Sequence, residues 1–183
     1  GTGPILGLHD LETRVSTLKE AEVVYLRPAY FMENHLWSLP LIRTQGINGS
    51  PIRADVPFPM VATEDIAVAT ALLFVEGIFH GHAVRYLLGP RDLTMSEATR
   101  ILGEAIGKPG LRYVQFSEED ARKAMTAGAG MSASVVEAML EMQRGFNAGI
   151  VRPTRERSVE STTPTTLESF SRSVFAHAYR AAA

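Results

Sequence analysis

The sequence predicts an α/β fold in which short buried strands form a parallel sheet. Two apolar runs, Val23–Leu26 and Val84–Leu88, are each followed by a turn that contains proline. Segments with helical spacing or helix-capping residues separate these runs, and such alternation is typical of parallel α/β sheets. With 183 residues and 45% hydrophobic content, the chain can bury a sizeable core.

Composition excludes several classes of function. Eighteen basic and twenty acidic residues give a net charge of −2 without any basic block, so neither nucleic acid nor a membrane surface is an expected partner. The chain has no cysteine, which excludes disulfides and thiolate zinc sites. The apolar run 67–75 is too short to span a bilayer. The start of the chain does not resemble a signal peptide, and the cytoplasm is the expected location.

The first third of the chain predicts a helix, a strand and a second helix. An amphipathic helix is expected over residues 5–19, and Val23–Leu26 is expected to be a strand buried on both faces. A helix from about Phe31 to Leu39 follows, with Pro40 at a kink or stop. The apolar positions of the first helix are Leu6, Leu8, Leu11, Val15 and Leu18.

Turn and capping residues divide the middle of the chain. Residues 46–51 predict a turn that short strands may flank on either side, and residues 58–62 predict a strand. Thr63 is expected to cap a helix that continues to about Glu76, because acidic residues occupy its first turn. The run Val84–Leu88 is the next strand.

The second half is predicted to be mainly helical, with one strand over residues 111–116. Thr94 and Glu97 have the spacing of a capping box, which begins a helix that ends near Ile106. Three later helices begin at Ser or Thr residues that can cap them: from Ser117 to about 126, from Ser132 or Ser134 to about 147, and from Thr165 or Thr166 onwards.

One segment resembles a known family. Leu26-Arg27-Pro28 followed by Phe31-Met32-Glu33-Asn34 is similar to a segment of NmrA-like proteins, which are atypical relatives of the short-chain dehydrogenases and bind NAD(P). Other matches occur in the same order and at similar separations: residues 57–67, Leu88-Gly89-Pro90 with Thr94 and Glu97, and residues 162–166 with Phe170.

The resemblance implies a partial Rossmann-like, doubly wound domain over residues 1–92 that lacks its N-terminal dinucleotide-binding half. It also implies a small α+β substrate domain over 93–150 and a C-terminal loop and helix over 151–183 that pack back on the body. The glycine-rich stretch 1–7 follows no strand, so it does not fit a dinucleotide fingerprint. NADP or NAD is therefore expected in the complete protein, but this chain is not expected to bind it tightly.

Ligands of doubly wound sheets lie beyond the carboxyl ends of the strands. The residues expected to border the nicotinamide are Pro28, Ala29, Tyr30 and Phe31, although Tyr30 and Phe31 could instead pack only the strand–helix junction. The candidate substrate residues are Met32, Asn34, Trp37, Phe58 and Met60. Ordinary core is the alternative for Met32, Phe58 and Met60, and Asn34 is the strongest candidate because a polar residue there needs a partner.

Catalytic residues cannot be assigned from the sequence. Reductases of the wider superfamily use a Tyr and a Lys on the helix before this strand, where the present chain has Leu8, His9 and Glu12. The resemblance therefore favours a redox or cofactor sensor, or a weak oxidoreductase. A further hypothesis is an active oxidoreductase that uses an unusual residue as its catalytic acid.

A second class of function is an interaction module without catalysis. It would assemble through an exposed sheet edge, either as a homo-oligomer or with a separate N-terminal half.

Other polar clusters predict no site. His80-Gly81-His82 supplies at most two metal ligands in an expected exposed loop, so no metal site is predicted. His9 and Glu12 are interpreted as a solvated helix face. Several arginines could contact an anionic substrate but are not distinguished from solubilising charge: Arg112, Arg152, Arg155 and Arg157.

Overall fold

The computed structural model describes residues 1–77 and 80–181, which form a mixed α/β fold. The helices are α1 (Ile5–Val15), α2 (Leu39–Gln45), α3 (Thr63–Glu76), α4 (Met95–Ala105), α5 (Glu118–Lys123), α6 (Ala133–Asn147), α7 (Leu167–Phe170) and α8 (Ala176–Ala181). A 3₁₀ helix covers Met32–Ser38, and π-helical turns cover Ala124–Gly128 and Ser171–Phe175. The strands are β1 (Val23–Pro28), β2 (Tyr30–Phe31), β3 (Ile47–Ser50), β4 (Phe58–Val61), β5 (His82–Leu87), β6 (Asp92–Leu93) and β7 (Arg112–Gln115).

The strands pair in three small groups, and parallel pairing dominates. β1 pairs with β5, β2 with β4, and β3 with β7, all parallel, while β6 adds to β4 in antiparallel orientation. The predicted α/β class with parallel sheets is confirmed. No helix of the described part of the chain combines the length and the apolar character that a bilayer span requires.

Strand β1 is paired along one edge. Val23 N–H donates to Gly81 C=O and Ala29 N–H donates to Leu87 C=O. Because hydrogen bonds of a parallel strand alternate between its two sides, the backbone groups of Val24 and Leu26 face away from β5. Among the described residues, no strand pairs with that second edge. The predicted strand is thus present, but it is half-buried rather than buried on both faces.

The first helix differs from its prediction in length and in orientation. It ends at Val15 instead of residue 19, and Leu6, Leu8 and Leu11 are exposed instead of buried. The reason is that α1 contacts the strands through polar groups. Glu12 bonds the Arg27 guanidinium of β1, while the leucines remain exposed to solvent.

Helix α3 begins without the predicted Thr63 cap. Ala62 is the N-cap residue, and the Glu33 carboxylate accepts hydrogen bonds from the Thr63 N–H and hydroxyl at 2.7–3.1 Å. The helix is apolar all round, which normally indicates burial. Its residues Val68, Leu72 and Val75 are nevertheless 54%, 50% and 83% exposed, and we refer to these three residues as the α3 stripe.

Of two predictions between residues 31 and 51, one holds in part and one is wrong. The expected helix is the 3₁₀ helix Met32–Ser38, which ends near Pro40 as predicted. Pro40 itself lies in the first turn of α2, where a missing N–H breaks no helical bond, so a second helix continues through it. The predicted turn at 46–51 is mostly strand, because Ile47–Ser50 pairs with β7. Only Gly46 keeps a turn role, ending α2 at a φ of 66°. The buried bond from Asn48 Nδ2 to Thr99 Oγ1, 2.8 Å long, fixes this strand against α4.

The later helices follow their capping signals. Thr94 and Glu97 form the predicted capping box at the start of α4, and Ser117 and Thr166 cap α5 and α7 through their side chains. Ser132 is the N-cap residue of α6, although its side chain makes no capping bond. These local signals hold because a capping hydroxyl satisfies helix N–H groups that have no other partner.

The main core lies between β4, α4 and the C-terminal helices. Its most buried side chains include Met60, Leu102, Leu167 and Phe175, and a smaller cluster at Ala121, Val136 and Leu140 joins α5 to α6.

A buried carboxylate ties the C-terminal segment to this core. Asp65, in the first turn of α3, accepts hydrogen bonds from the Thr165 N–H at 3.0 Å and from the Thr165 hydroxyl at 2.7 Å. The contact spans 100 residues of chain and fixes the start of α7.

Replacing Asp65 with Ala should lower the free energy of unfolding by about 2 kcal/mol, because both Thr165 donors lose their charged acceptor in a buried setting. Urea denaturation monitored by circular dichroism measures this change. Glu64→Ala, at an exposed position in the same helical turn, is the matched control and should change stability by less than about 0.5 kcal/mol. Equal effects of the two substitutions would contradict the role given to Asp65.

Candidate functional site

The carboxyl ends of β1 and β5 meet at one edge of the structure. Pro28 and Leu87 are register partners at the ends of these parallel strands. The chain then turns at Ala29 into β2, which pairs with β4 through Tyr30–Met60 and Phe31–Val61. The four residues predicted to border a nicotinamide therefore connect two parallel pairs at the edge where ligands of such sheets bind.

Tyr30 belongs to an aromatic cluster. Its ring centroid lies 5.6 Å from that of His35, 5.3 Å from that of Phe58 and 6.3 Å from that of Phe146. Burial, with a smaller contribution from Tyr113, raises the pKa of the Tyr30 phenol well above its ordinary value. The Tyr30 hydroxyl therefore stays protonated near neutral pH. Phe31, next in sequence, is partly exposed.

The predicted substrate residues do not converge on one cavity. Met32, Phe58 and Met60 are buried in the core, Asn34 is half-buried on the 3₁₀ helix, and Trp37 is 76% exposed. Met32 and Met60 share a small cavity of about 70 Å³ with Leu93 and Leu167. Phe58 lines a different cavity, and neither Asn34 nor Trp37 lines either one. Their ligand roles stay predictions.

The larger cavity, of about 540 Å³, lies just past the carboxyl end of β5. It is bounded by residues 56–59, by the turn after β5 and by the loop 149–157. Four arginines and two carboxylates line it: Arg91, Arg152, Arg155, Arg157, Asp92 and Glu156. The sequence analysis named Arg152, Arg155 and Arg157 together but not Arg91, because residue 91 is distant from them along the chain.

One of these arginines is held by the fold. The Arg157 guanidinium donates to the carbonyl oxygens of Leu88 and Gly89 and forms an ion pair with Asp92. The two carbonyls belong to the turn that follows β5, and Asp92 begins β6. Arg157 therefore fixes the loop 149–157 against the end of the strand rather than solubilising the surface.

A polar chain connects α1 to the same loop. Arg27 donates from Nε to Glu12 Oε1 at 3.0 Å and from Nη2 to the other Glu12 oxygen. Arg27 Nη1 donates to the Tyr86 hydroxyl at 2.9 Å, and Tyr86 bonds the Thr154 hydroxyl at 2.7 Å. The hydrogen bonds from Arg27 lower the pKa of the Glu12 carboxyl. Glu12 is thus a partner in a network, and the prediction of a solvated helix face is wrong for it.

Tyr86 is a polar residue that sequence reasoning missed. Burial raises the pKa of its phenol, but hydrogen bonds with Thr154 and Arg27 and the charges of Arg27 and Arg155 outweigh it, so the pKa lies below its ordinary value. The only sequence signal for it is a tyrosine in the middle of the predicted strand Val84–Leu88.

The histidines near β5 have separate partners. His80 Nδ1 lies 3.0 Å from Glu22 Oε1, whereas His82 contacts the Tyr25 hydroxyl and the Leu18 carbonyl. His82 begins β5 and does not belong to a loop. Across residues 1–77 and 80–181, no three potential metal-ligating side chains cluster.

His35 is a buried titratable group beside Tyr30. Its side chain is 2% exposed, and its Nε2 has no hydrogen-bond partner among the described residues. Burial lowers the pKa of His35 to about 4, so the imidazole is neutral at physiological pH.

Comparisons with known proteins identify the fold and related sequences. No protein-family model matches the chain. The chain is 32% identical over 136 residues to (4-alkanoyl-5-oxo-2,5-dihydrofuran-3-yl)methyl phosphate reductase of Streptomyces griseus, a match that covers 72% of this chain and 46% of that enzyme. The chain spans about half the length of the curated relatives it matches.

Solved structures share the fold over nearly the whole chain. The NADPH complex of the quinone oxidoreductase QOR2 from Escherichia coli has a TM-score of 0.70 at 22% identity and covers 91% of this chain and 58% of its own. The NADP complex of NmrA, a negative transcriptional regulator, has a TM-score of 0.66 at 16% identity and covers 95% and 58%. These neighbours confirm the resemblance to NmrA-like proteins at the level of the fold.

Replacing His35 with Leu should make the free energy of unfolding depend less steeply on pH in the acidic range, which we call the acid limb. Between pH 6.5 and 4 the unfolded chain binds a proton at His35 that the native protein does not, so native stability is complete above this window and falls as the pH drops through it. The expected slope is roughly 1.4 kcal/mol per pH unit at most. Denaturation of wild type and variant at a series of pH values measures it.

The exposed His9 provides the control for this experiment. His9→Leu should keep the wild-type slope, because the slope is assigned to the buried His35 and this substitution leaves His35 in place. An acid limb that is unchanged in His35→Leu would contradict the assignment.

Proposed function

We propose that this chain is the substrate-side part of an NmrA-like, NAD(P)-binding protein that acts as a redox or cofactor sensor or as a weak oxidoreductase. In the complete protein, an N-terminal half would bind the cofactor phosphates. The observation that carries the proposal is the parallel β1–β5 pair, whose carboxyl ends share one edge while the second edge of β1 has no partner among the described residues.

The proposal assigns roles along the chain. Residues 1–92 would complete the Rossmann-like domain, residues 93–150 would form the substrate domain, and residues 151–183 would pack back on the body. Pro28 to Phe31 would border the nicotinamide of NADP or NAD, since they follow the end of β1. Supporting this, QOR2 and NmrA were solved with NADPH and with NADP or NAD, respectively.

The choice between sensing and catalysis depends on a proton donor. Helix α1 carries His9 and Glu12 where related reductases have Tyr and Lys, and Glu12 is already bound to Arg27. This supports a sensor. If the complete protein is a reductase, Tyr86 is the candidate acid, because its pKa is lowered and it lies beside the loop that lines the larger cavity.

Titration of NADPH tests whether cofactor binding requires the N-terminal half, and whether the protein senses NADPH or oxidises it. The 183-residue chain alone should show no binding tighter than about 100 μM by isothermal calorimetry, because it offers no glycine-rich loop after a strand for the pyrophosphate. The same chain preceded by its N-terminal half should bind with micromolar affinity or better, and a sensor would bind without oxidising NADPH in the presence of quinones. Micromolar binding by the 183-residue chain alone would refute the assignment.

A second candidate function is an interaction module, and two exposed features favour it. The second edge of β1 has no strand partner within residues 1–77 and 80–181, and the α3 stripe is an exposed apolar surface on a helix rich in apolar residues. Exposed edges and apolar patches are common association sites. The occupant would be a second copy of this chain or the separate N-terminal half.

Sedimentation velocity tests association directly. The 183-residue chain should form dimers or larger species at about 100 μM, and Val68→Lys/Leu72→Lys should weaken association at least about tenfold by introducing charge into the α3 stripe. Ala67→Lys, at an exposed position of α3 that lies about 100° around the helix from Val68, is the matched control and should leave association unchanged. A stable monomer at high concentration would rule out self-assembly.

A further inference from the structure

We infer that the 540 Å³ cavity past the end of β5 binds a small amphiphilic anion, a phosphate monoester or carboxylate joined to an apolar body. We call this cavity the arginine cavity. Its volume lies within the range of about 300–1,000 Å³ that is typical of small-molecule sites. The inference goes beyond the proposed function, because it needs neither the nicotinamide cofactor nor the N-terminal half.

Two arginines of the cavity have charge available for a ligand. Arg157 is committed to Asp92 and to the backbone carbonyls after β5, and Arg91 forms an ion pair with Glu168. Arg152 and Arg155, in contrast, have no hydrogen bond or ion pair to any described residue, although both line the cavity. A guanidinium with free N–H groups is the side chain best suited to bidentate binding of phosphate or carboxylate.

The loop that carries the free arginines is anchored at both sides of Arg155. Thr154 is bonded to Tyr86 at 2.7 Å, and Arg157 is bonded to the turn after β5. These contacts fix the backbone beside Arg155, so that binding has to order the two arginine side chains but not this part of the loop. Solubilising arginines on a free surface have no such support.

The rest of the cavity lining is apolar. Pro57, Phe146 and Val151 line it together with the buried Phe58, and Phe146 packs on Phe58 with ring centroids 5.1 Å apart. An apolar body would bury its surface here while its charge remains at the arginines. This lining is the reason for expecting an organic anion rather than inorganic phosphate alone.

Glu156 provides a second test, in which removing a charge should increase the affinity for an anion instead of decreasing it. It lines the same cavity between Arg155 and Arg157, and it forms no ion pair with a described residue. Its negative charge opposes binding of an anion, so the site should bind more tightly when this charge is removed. An arginine loss and a glutamate loss must therefore shift affinity in opposite directions if the cavity is the binding site.

The experiment measures binding of four compounds to the 183-residue chain by calorimetry at low salt: n-hexyl phosphate, n-hexanoate, inorganic phosphate and n-hexanol. The two n-hexyl anions should bind, and at least one should bind at least about tenfold more tightly than either inorganic phosphate or n-hexanol. The double variant Arg152→Ala/Arg155→Ala should weaken binding of the tighter n-hexyl anion at least about tenfold. Glu156→Gln should tighten binding of the same anion about twofold or more. Arg112→Ala removes an exposed arginine outside the cavity and should change nothing.

Each alternative outcome has a definite meaning. Equal weakening by Arg112→Ala and by the double variant would mean non-specific attraction to positive charge, and it would overturn the inference. Binding of n-hexanol as tight as that of the anions, or no binding of either n-hexyl anion, would also overturn it. A preference between n-hexyl phosphate and n-hexanoate would identify the head group within the inferred class. NADPH titration of the same samples reports separately on the proposed function.

Discussion

The parallel pairing of β1 with β5 is the constraint on which the rest of the structure depends. Parallel neighbours require a crossover, and here the chain from Ala29 to Gly81 forms it. Both carboxyl ends consequently lie at one edge, where Pro28 leads into β2 and Leu88 leads into the turn that Arg157 holds. The aromatic cluster around Tyr30 follows the carboxyl end of β1, and the arginine cavity follows the carboxyl end of β5.

Polar contacts, more than apolar ones, connect the outer elements to that pair. Glu12 joins α1 to Arg27, Arg27 joins β1 to Tyr86, and Tyr86 joins β5 to the loop that lines the arginine cavity. Asp65 makes a similar polar connection elsewhere, between α3 and the C-terminal helices through Thr165. The second edge of β1 has no strand partner among the described residues, and both proposed functions depend on this edge. The exposed α3 stripe adds support only to the interaction module.

The local parts of the fold could be predicted from the sequence. The capping box at Thr94 and Glu97 depends on groups within a few residues, so the sequence specifies it directly. Apolar runs likewise predicted the positions of β1 and β5, although neither strand is fully buried. Resemblance of Leu26-Arg27-Pro28 and the following residues to NmrA-like proteins predicted the fold that the solved neighbours share.

By itself, the sequence determined where β1, β4, β5 and β7 lie, where the capped helices α4, α5 and α7 begin, and which residue types could hold a ligand. Only the tertiary structure decided that Ile47–Ser50 is a strand, because its partner β7 begins more than sixty residues later. Tertiary structure also sorted the candidate residues, burying Met60 in the core while exposing Trp37, and it brought Arg91 and Arg155 to one cavity. The physical reason is common to these cases: pairing and burial depend on neighbours distant in sequence, whereas capping and periodicity depend on neighbours nearby.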